Sequence, residues 1–411
     1  MTSTSPQTNS PQANPSNPAL DDASQSADGV SQASSQASSQ LSVRQRWVYA
    51  AGAVGAVYLL FASIDVLGLG FQSLAGPQAE WLFGLAANPF LGLLLGILTT
   101  AMIQSSSIVT SMLIAAVAGG LPIAIAIPMV MGANIGTTLT NTLVSLGYVS
   151  EDDAFERAFA AATIHDFFNL LSVAILFPLE LTLHPLARLS EWLIAGVGDL
   201  PGGFTLPSLA GLVWPVRLGF GAIARYLPPP FDAVIFFSLS IAGLMLAVNG
   251  LAWLLKKLLV GKAETALHWA IGRGSALGLA TGAGITAVVQ SSSMTTGLMV
   301  PLAGAGLVSL EEVYPFVLGA NIGTCVTAMI AALGAGGALA KLAFQLALVH
   351  LGFNLLSVAL VYGIPFLRVR PLQAAQWISE VAAKHRWLAI IYVLGIFFGL
   401  PGGLLAVTLL I

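Results

Sequence analysis

The chain has 411 residues, of which 56% are hydrophobic and only 8% are charged, and its mean hydropathy is +0.87. Its 15 basic and 18 acidic side chains are too few to cover a water-soluble protein of this length, so we expect an integral membrane protein. The net charge of −3 with scattered basic residues excludes a nucleic-acid surface, and the single cysteine excludes an intramolecular disulfide or a cysteine-bound metal cluster.

The N-terminal segment has the composition of a disordered tail. Residues 1–40 contain no lysine, arginine or aromatic side chain and are rich in serine, glutamine, asparagine and alanine. Such a segment cannot bury enough apolar area to offset the entropy of ordering. Two arginines, a tryptophan and a tyrosine at 44–49 then mark a membrane interface, and an apolar run to about Gly70 predicts the first transmembrane helix.

The remainder of the chain alternates between apolar blocks and short polar breaks. The blocks fall at about 88–119, 122–147, 155–180, 231–255, 275–308, 313–334, 340–364 and 387–411. Strand-period alternation is absent, so we predict an all-α integral membrane protein with about eight or more transmembrane helices. We divide it into a tail (1–43), a first half (44–182), an interfacial or re-entrant connector (183–230), a second half (231–364), and a connector with a C-terminal span (365–411).

The two halves carry the same motifs in the same order. A Gln-Ser-Ser-Ser tetrad, a Gly-Ala-Asn-Ile-Gly-Thr motif and a His-x-x-Phe-Asn-Leu-Leu-Ser-Val-Ala motif each occur twice, at offsets of 185 to 187 residues. The first set begins at Gln104, Gly132 and His165, and the second at Gln290, Gly319 and His350. A duplication interrupted by polar breaks is typical of secondary transporters built from inverted repeats.

The two tetrads are predicted to form the site. In one continuous helix the four polar residues would spread around most of the circumference, and some would point into lipid at a cost of a few kcal/mol each. At the tip of a re-entrant helical hairpin all four can converge on one cavity. We therefore predict two such hairpins, with tetrads Gln104, Ser105, Ser106, Ser107 and Gln290, Ser291, Ser292, Ser293.

The chemistry of this site must be uncharged on the protein side. Residues 91–147 and 274–310 contain no charged side chain. Helix N-termini and free backbone N–H groups attract oxyanions, whereas hydroxyl, amide and carbonyl oxygens suit small hard cations. An oxyanion held there without a counter-charge would be prohibitively costly, and bound sodium ions would supply that charge and couple the two fluxes.

At these motifs the chain resembles the type II sodium-dependent phosphate cotransporter family. The resemblance is close over about 88–180 and 275–364. It implies a sodium-coupled symporter, not an enzyme, that imports inorganic phosphate by alternating access with the two tetrads lining the phosphate site. It implies no cofactor besides the co-transported sodium ions, and no oligomeric state follows from the sequence.

The resemblance also points to residues around the tetrads. Amides and hydroxyls near the tetrads are implicated in sodium binding in that family, and the positions that we assign to sodium here are Asn134, Thr137, Thr138, Asn321, Thr324, Thr100 and Thr286. Ionisable and amide side chains within apolar segments are accessory candidates, whether for ion binding or for interhelical hydrogen bonds: His165, Asp166, Asn169, His350 and Asn354. Because Leu351 replaces the aspartate in the second repeat, any acidic role belongs to one half only.

The chain lacks the large glycosylated, disulfide-bonded loop that animal members carry between the halves. The resemblance therefore indicates a bacterial member in the inner membrane. The same fold with another oxyanion or with proton coupling is the nearest alternative. An intramembrane serine hydrolase and a channel are distant ones, and no Gly-x-Ser-x-Gly nucleophile motif is present in the sequence.

Overall fold

The computed structural model describes residues 42–73, 84, 88–198, 209–228, 231–270, 272–336 and 339–410. The tail predicted over 1–43 lies outside these ranges except for its last two residues. Within them the chain is helical and contains no strand, and seven helices are long and apolar enough to cross a membrane. The prediction of an all-α integral membrane protein is confirmed. The count stands at seven against an expected eight or more, because each block that holds a tetrad is split into shorter helices.

The described residues of the first half and the connector form eight helices. They are α1 (Val43–Ser73), α2 (Pro89–Ile103), α3 (Ser106–Ala118), α4 (Ile123–Gly136), α5 (Leu139–Ser145), α6 (Asp152–Leu183), α7 (Pro185–Gly198) and α8 (Trp214–Ala224). Short 3₁₀ turns at Leu146–Tyr148 and Leu209–Val213 precede α6 and α8. In the connector, α7 has 14 residues and α8 has 11, fewer than the roughly 20 that a membrane crossing needs.

The described residues of the second half (231–364) and of the C-terminal segment (365–411) form nine helices. They are α9 (Phe231–Ala270), α10 (Ser275–Val289), α11 (Ser292–Gly297), α12 (Met299–Gly304), α13 (Leu310–Gly334), α14 (Ala340–Ser357), α15 (Pro365–Lys384), α16 (Arg386–Leu394) and α17 (Leu400–Leu410). Two π-helical turns, Val358–Tyr362 and Gly395–Gly399, follow α14 and α16.

Side chains cap the starts of helices in both repeats, including α2 and α13. The Asn88 side chain accepts a hydrogen bond from the N–H of Phe90 at 3.0 Å, and Pro89 occupies the first position of α2. Ser309 and Glu312 form a reciprocal capping box at the start of α13. In both cases the helix begins directly after a polar capping residue.

Glycines bring one pair of helices into very close contact in each repeat. A Cβ on Gly132 would overlap the carbonyl oxygen of Leu93, so α4 lies directly against the backbone of α2. The equivalent Gly319 would overlap the carbonyl oxygen of Leu279, so α13 lies equally close to α10. Glycine at four-residue spacing permits such an approach between membrane helices. The glycines of the Gly-Ala-Asn-Ile-Gly-Thr motif therefore have a packing role in both halves.

The core lies where the two repeats meet. Helix α9 packs along α1, and α13 contacts α1, α3 and α6 as well as its own repeat partner α10. One apolar cluster joins α1, α3 and α4 to α13 and α14, and a second joins α6 to α10 and α13. Helix α13 is thus the central element, and it places motifs of the second repeat against motifs of the first.

Candidate functional site

Both tetrads line one cavity. Its volume is about 170 Å³, and its walls are Gln104, Ser105, Ser106, Ser107, Gln290, Ser291, Ser292 and Ser293, with Val248, Asn249 and Ala252 of α9. None of these lining residues is charged. A water molecule occupies about 30 Å³ in the liquid, so the cavity has room for a small hydrated ligand. Two segments separated by nearly half the chain therefore meet at a single polar site.

The two tetrads have the same backbone conformation. Gln104 and Gln290 end α2 and α10 in the left-handed region with φ of 58° and 59°. The next residues, Ser105 and Ser291, are extended and begin the following helices. A left-handed conformation costs a non-glycine residue about 1 kcal/mol or more, and residues held in such strain cluster at functional sites. Its repetition at both cavity walls indicates that the helix break is a property of the site.

The serines present both hydroxyls and helix ends to the cavity. The hydroxyl of Ser105 accepts from the N–H of Ile108 at 3.4 Å, and that of Ser291 accepts from the N–H of Met294 at 3.3 Å. Helix α3 starts at Ser106, so N–H groups of its first turn have no partner within the helix. The site therefore offers hydrogen-bond donors and the positive end of a helix dipole, the combination that favours an anion.

The two glutamines differ in their contacts. Gln290 is 5% exposed; its Oε1 accepts from the hydroxyl of Thr327 at 2.9 Å, and its Nε2 donates to the carbonyl of Ala287. Gln104 is exposed, and its side chain has no hydrogen bond to any residue that the structure describes. The cavity is therefore asymmetric, although its two walls have the same sequence.

None of the seven residues predicted to bind sodium is among the residues that line the cavity. The hydroxyls of Thr137 and Thr138 donate to carbonyls of the preceding α4, and that of Thr324 donates to a carbonyl of its own helix α13. Those of Thr100 and Thr286 are buried and have no partner in the described part of the chain. Asn134 and Asn321 belong to a buried network described next. The assignment of sodium to these seven residues stays a prediction.

The accessory histidines bind the asparagines of the opposite repeat. Nε2 of His165 lies 2.6 Å from Oδ1 of Asn321, and Nε2 of His350 lies 3.4 Å from Oδ1 of Asn134. Asn169 connects these two histidine–asparagine contacts. Its Nδ2 donates to the carbonyl of Asn134 at 2.8 Å, and its Oδ1 accepts from Nδ2 of Asn321 at 3.0 Å. The sequence placed these residues in motifs but did not pair them across the halves.

The second repeat completes the network less fully. Nδ2 of Asn354 donates to Sγ of Cys325 at 3.4 Å and to the carbonyl of His350 at 3.0 Å, while its Oδ1 has no partner within the described ranges. Both of these bonds stay within the second repeat, so Asn354 joins α14 to α13. Hydrogen bonds between polar side chains hold transmembrane helices together, and we interpret His165, Asn169 and His350 as the contact between the halves.

Asp166 is the one carboxyl group predicted within these motifs, and it is fully buried. Its Oδ2 accepts from the Tyr392 hydroxyl at 2.8 Å and from the Thr142 hydroxyl at 3.4 Å. Its Oδ1 has no partner among the residues described. The carboxyl group therefore links α6 to α5 of the same half and to α16 of the C-terminal segment. Leu351 gives the second repeat no equivalent acid.

Sequence reasoning missed two polar residues at the site. Asn249 lines the cavity from α9, and Thr327 holds Gln290. The signal for Asn249 was an amide within the apolar run 231–255, and the signal for Thr327 was its match to Thr140 in the first repeat. Neither residue lies in a motif that stands out along the chain, which is why both were overlooked.

Comparisons with known proteins find one matching family model and several similar proteins. Residues 59–194 and 244–398 match the family model described as Na⁺/Pi-cotransporter. The chain is 33% identical over 422 residues to sodium-dependent phosphate transport protein 2A of Ovis aries, which covers 84% of this chain and 65% of that protein. It is 31% identical over 441 residues to sodium-dependent phosphate transport protein 2B of Homo sapiens, covering 85% of this chain and 63% of that protein. The chain thus spans slightly less than two thirds of the length of these relatives. No solved structure matches it significantly.

Proposed function

Since this chain belongs to the Na⁺/Pi-cotransporter family, we propose that it is a secondary transporter that carries inorganic phosphate across a cell membrane together with sodium ions. The observation that carries the proposal is the cavity walled by both Gln-Ser-Ser-Ser tetrads. A bacterial inner membrane, inward transport and the absence of a cofactor other than the transported sodium stay predictions from the sequence.

Phosphate suits the donor set of this cavity. The serine hydroxyls, the glutamine amide groups and the free N–H groups at the start of α3 can each donate to a phosphate oxygen. No lysine or arginine lines the cavity, so the protein itself does not neutralise the anion. Sodium ions bound nearby would lower the electrostatic cost of placing phosphate inside the membrane, which couples the two binding events.

The duplicated architecture supports alternating access. Each half contributes one tetrad on a helix break, and the closely packed pairs α2/α4 and α10/α13 give each half a rigid unit. Rocking of such units around a central site is the usual motion of transporters with internal repeats. We interpret the tetrads as the tips of re-entrant hairpins that open the cavity to one face at a time.

The test is uptake of radiolabelled phosphate into liposomes that contain the purified chain. An inward sodium gradient should drive accumulation, and replacement of sodium by potassium or choline should abolish it. Gln104→Ala and Ser292→Ala should each reduce uptake at least about tenfold, since each removes a hydrogen bond to a charged ligand. Ser238→Ala is the matched control, because Ser238 is exposed on α9 and its hydroxyl donates to the carbonyl of Val234.

Uptake that is unchanged without sodium would contradict sodium coupling, and full activity of both tetrad variants would contradict the site. A proton gradient in place of sodium, and sulfate in place of phosphate, test the two nearest alternatives. The hydrolase alternative has no support in the geometry, because Nε2 of His165 and of His350 each lies against an asparagine rather than a tetrad serine.

A further inference from the structure

The two equivalent glutamines of the cavity are held differently. Gln290 is buried, and its Oε1 accepts a hydrogen bond from Thr327 of α13 at 2.9 Å. Gln104 is exposed and has no such bond to the residues described. The backbone conformations at the two positions are nearly the same, with φ/ψ of 58°/27° and 59°/27°. The difference therefore lies in the side chains and in what faces them.

The residue equivalent to Thr327 is present in the first repeat but is unused. Thr327 follows Asn321 by six residues, and Thr140 follows Asn134 by the same interval. The hydroxyl of Thr140 is buried and has no partner in the part of the chain that the structure describes. A buried hydroxyl without a partner costs about 1 to 3 kcal/mol, so this position is poised to gain a hydrogen bond.

The helix that carries each threonine also differs between the repeats. Helix α13 runs unbroken through Thr324 and Thr327. In the first repeat the same stretch is interrupted, because α4 ends at Gly136 and α5 begins at Leu139. The turn covers Thr137 and Thr138, whose φ/ψ angles stay in the right-handed helical region, and it ends one residue before Thr140. The first repeat therefore has a turn close to Thr140, whereas the helix around Thr327 is continuous.

We propose that Thr140 and Thr327 are positioning residues that hold the cavity glutamines in turn. In the conformation seen here Thr327 holds Gln290, while the side chain of Gln104 has no hydrogen-bond partner among the described residues. When the cavity opens to the other face, Gln104 bonds to Thr140 and Gln290 is released from Thr327. The proposal rests on the function proposed above. In it, one glutamine–threonine hydrogen bond replaces the other when the cavity changes the face to which it is open.

Such an exchange has a physical advantage for a carrier. One hydrogen bond is lost and an equivalent one is gained, so neither conformation is strongly favoured by this contact. A carrier cycles quickly only when its two conformations are close in free energy, because a strongly favoured state would trap it. The released glutamine also offers its amide to the ligand from the wall that has opened.

The test measures access to the cavity from each face. A cysteine reporter, Asn249→Cys, is placed in a Cys325→Ala background, since Asn249 is exposed in the cavity and Cys325 is buried. A membrane-impermeant thiol reagent is applied to cells and, separately, to inside-out membrane vesicles. The ratio of the two labelling rates then reports which face the cavity favours.

Thr327→Val and Thr140→Val should shift this ratio in opposite directions, each by about fivefold, which is the population change expected from one net hydrogen bond. The double variant should return to within about twofold of the starting ratio. Thr163→Val is the matched control, because the Thr163 hydroxyl is buried and donates to the carbonyl of Phe159 in its own helix. A purely structural role would move both single variants in the same direction or not at all, and either result would overturn the proposal.

The labelling assay separates this proposal from the function on which it rests. Phosphate with sodium should slow labelling of the reporter in the unsubstituted background, and absence of this protection would count against the proposed cargo. Opposite shifts of the two threonine variants do not need phosphate. Opposite shifts without protection by phosphate and sodium would support the hydrogen-bond exchange and contradict the proposed cargo. Protection without opposite shifts would support the cargo and contradict the exchange.

Discussion

Asp65 shows how one residue can depend on a distant part of the chain. Its carboxylate is 8% exposed within α1, and its Oδ1 lies 3.3 Å from Nη1 of Arg217 in α8. A carboxylate in this position is costly unless a cation or several donors accompany it. The contact therefore ties the connector to the first transmembrane helix.

We predict that Arg217→Gln destabilises the protein by about 1 to 2 kcal/mol, because it leaves a buried carboxylate without its cation. Adding Asp65→Asn should recover at least half of this loss, since the amide needs no counter-charge. The measurement is the midpoint of thermal unfolding in detergent for both single variants and the double variant. Equal midpoints for Arg217→Gln and the double variant would contradict the explanation by an uncompensated carboxylate, and an unchanged midpoint for Arg217→Gln would show that the ion pair does not stabilise the protein.

At the scale of the element, helix α10 contains two glycines in contrasting surroundings. A Cβ on Gly282 would overlap the carbonyl oxygen of Phe316 in α13. A Cβ on Gly284, two residues later, would meet nothing within 4 Å. A glycine-to-alanine change at each of these two positions therefore distinguishes the effect of helix–helix packing from that of helix propensity.

We predict that Gly282→Ala forces α10 away from α13 and lowers both the unfolding temperature and phosphate uptake. Overpacking of a close contact costs about 1 to 3 kcal/mol. Gly284→Ala should be neutral or slightly stabilising, because alanine favours the helix by up to about 1 kcal/mol over glycine. Thermal unfolding and uptake are measured on both variants. Equal behaviour of the two would contradict the close packing of α10 on α13.

The glycine contacts also show how far a motif can be interpreted from sequence. The doubled Gly-Ala-Asn-Ile-Gly-Thr motif was predicted to serve sodium binding through its amide and hydroxyl groups. Its glycines prove to contact α2 and α10, and Asn134 and Asn321 belong to a network between the repeats. A motif that occurs twice in the sequence indicates that its residues serve a shared purpose in both halves. It does not show whether that purpose is helix packing or ligand binding, because both would produce the same repeated motif.

At the scale of the whole molecule, the two halves are joined by crossed hydrogen bonds. His165 of the first repeat pairs with Asn321 of the second at 2.6 Å, and His350 of the second pairs with Asn134 of the first at 3.4 Å. The first distance is that of a strong hydrogen bond and the second is near the limit of a weak one. The structure thus contains a strong and a weak version of the same contact.

We predict a measurable coupling energy between His165 and Asn321, of about 1 kcal/mol, from a double-mutant cycle with alanine at each position. The matched cycle for His350 and Asn134 should give a smaller value, because the longer distance weakens the bond. Unfolding of the single and double variants in detergent provides the energies. Additive effects in the first cycle would show that the halves are not held together by this pair.

The sequence by itself determined that the protein lies in a lipid bilayer, that it is helical, that it is duplicated and that each half has a polar break. It could do so because composition, periodicity and the spacing between repeated motifs are properties of the linear chain. It also identified the eight tetrad residues that meet at the cavity. Only the tertiary structure decided that each histidine pairs with the opposite repeat and that Asn249 joins the cavity wall. It also decided that Thr327 holds the Gln290 side chain, whereas the Gln104 side chain has no such bond within the described ranges. These features depend on which helix faces lie together and on which of two equivalent contacts is made. Because both halves carry the same motifs, the sequence does not indicate which of two equivalent contacts forms, and helix packing decides it.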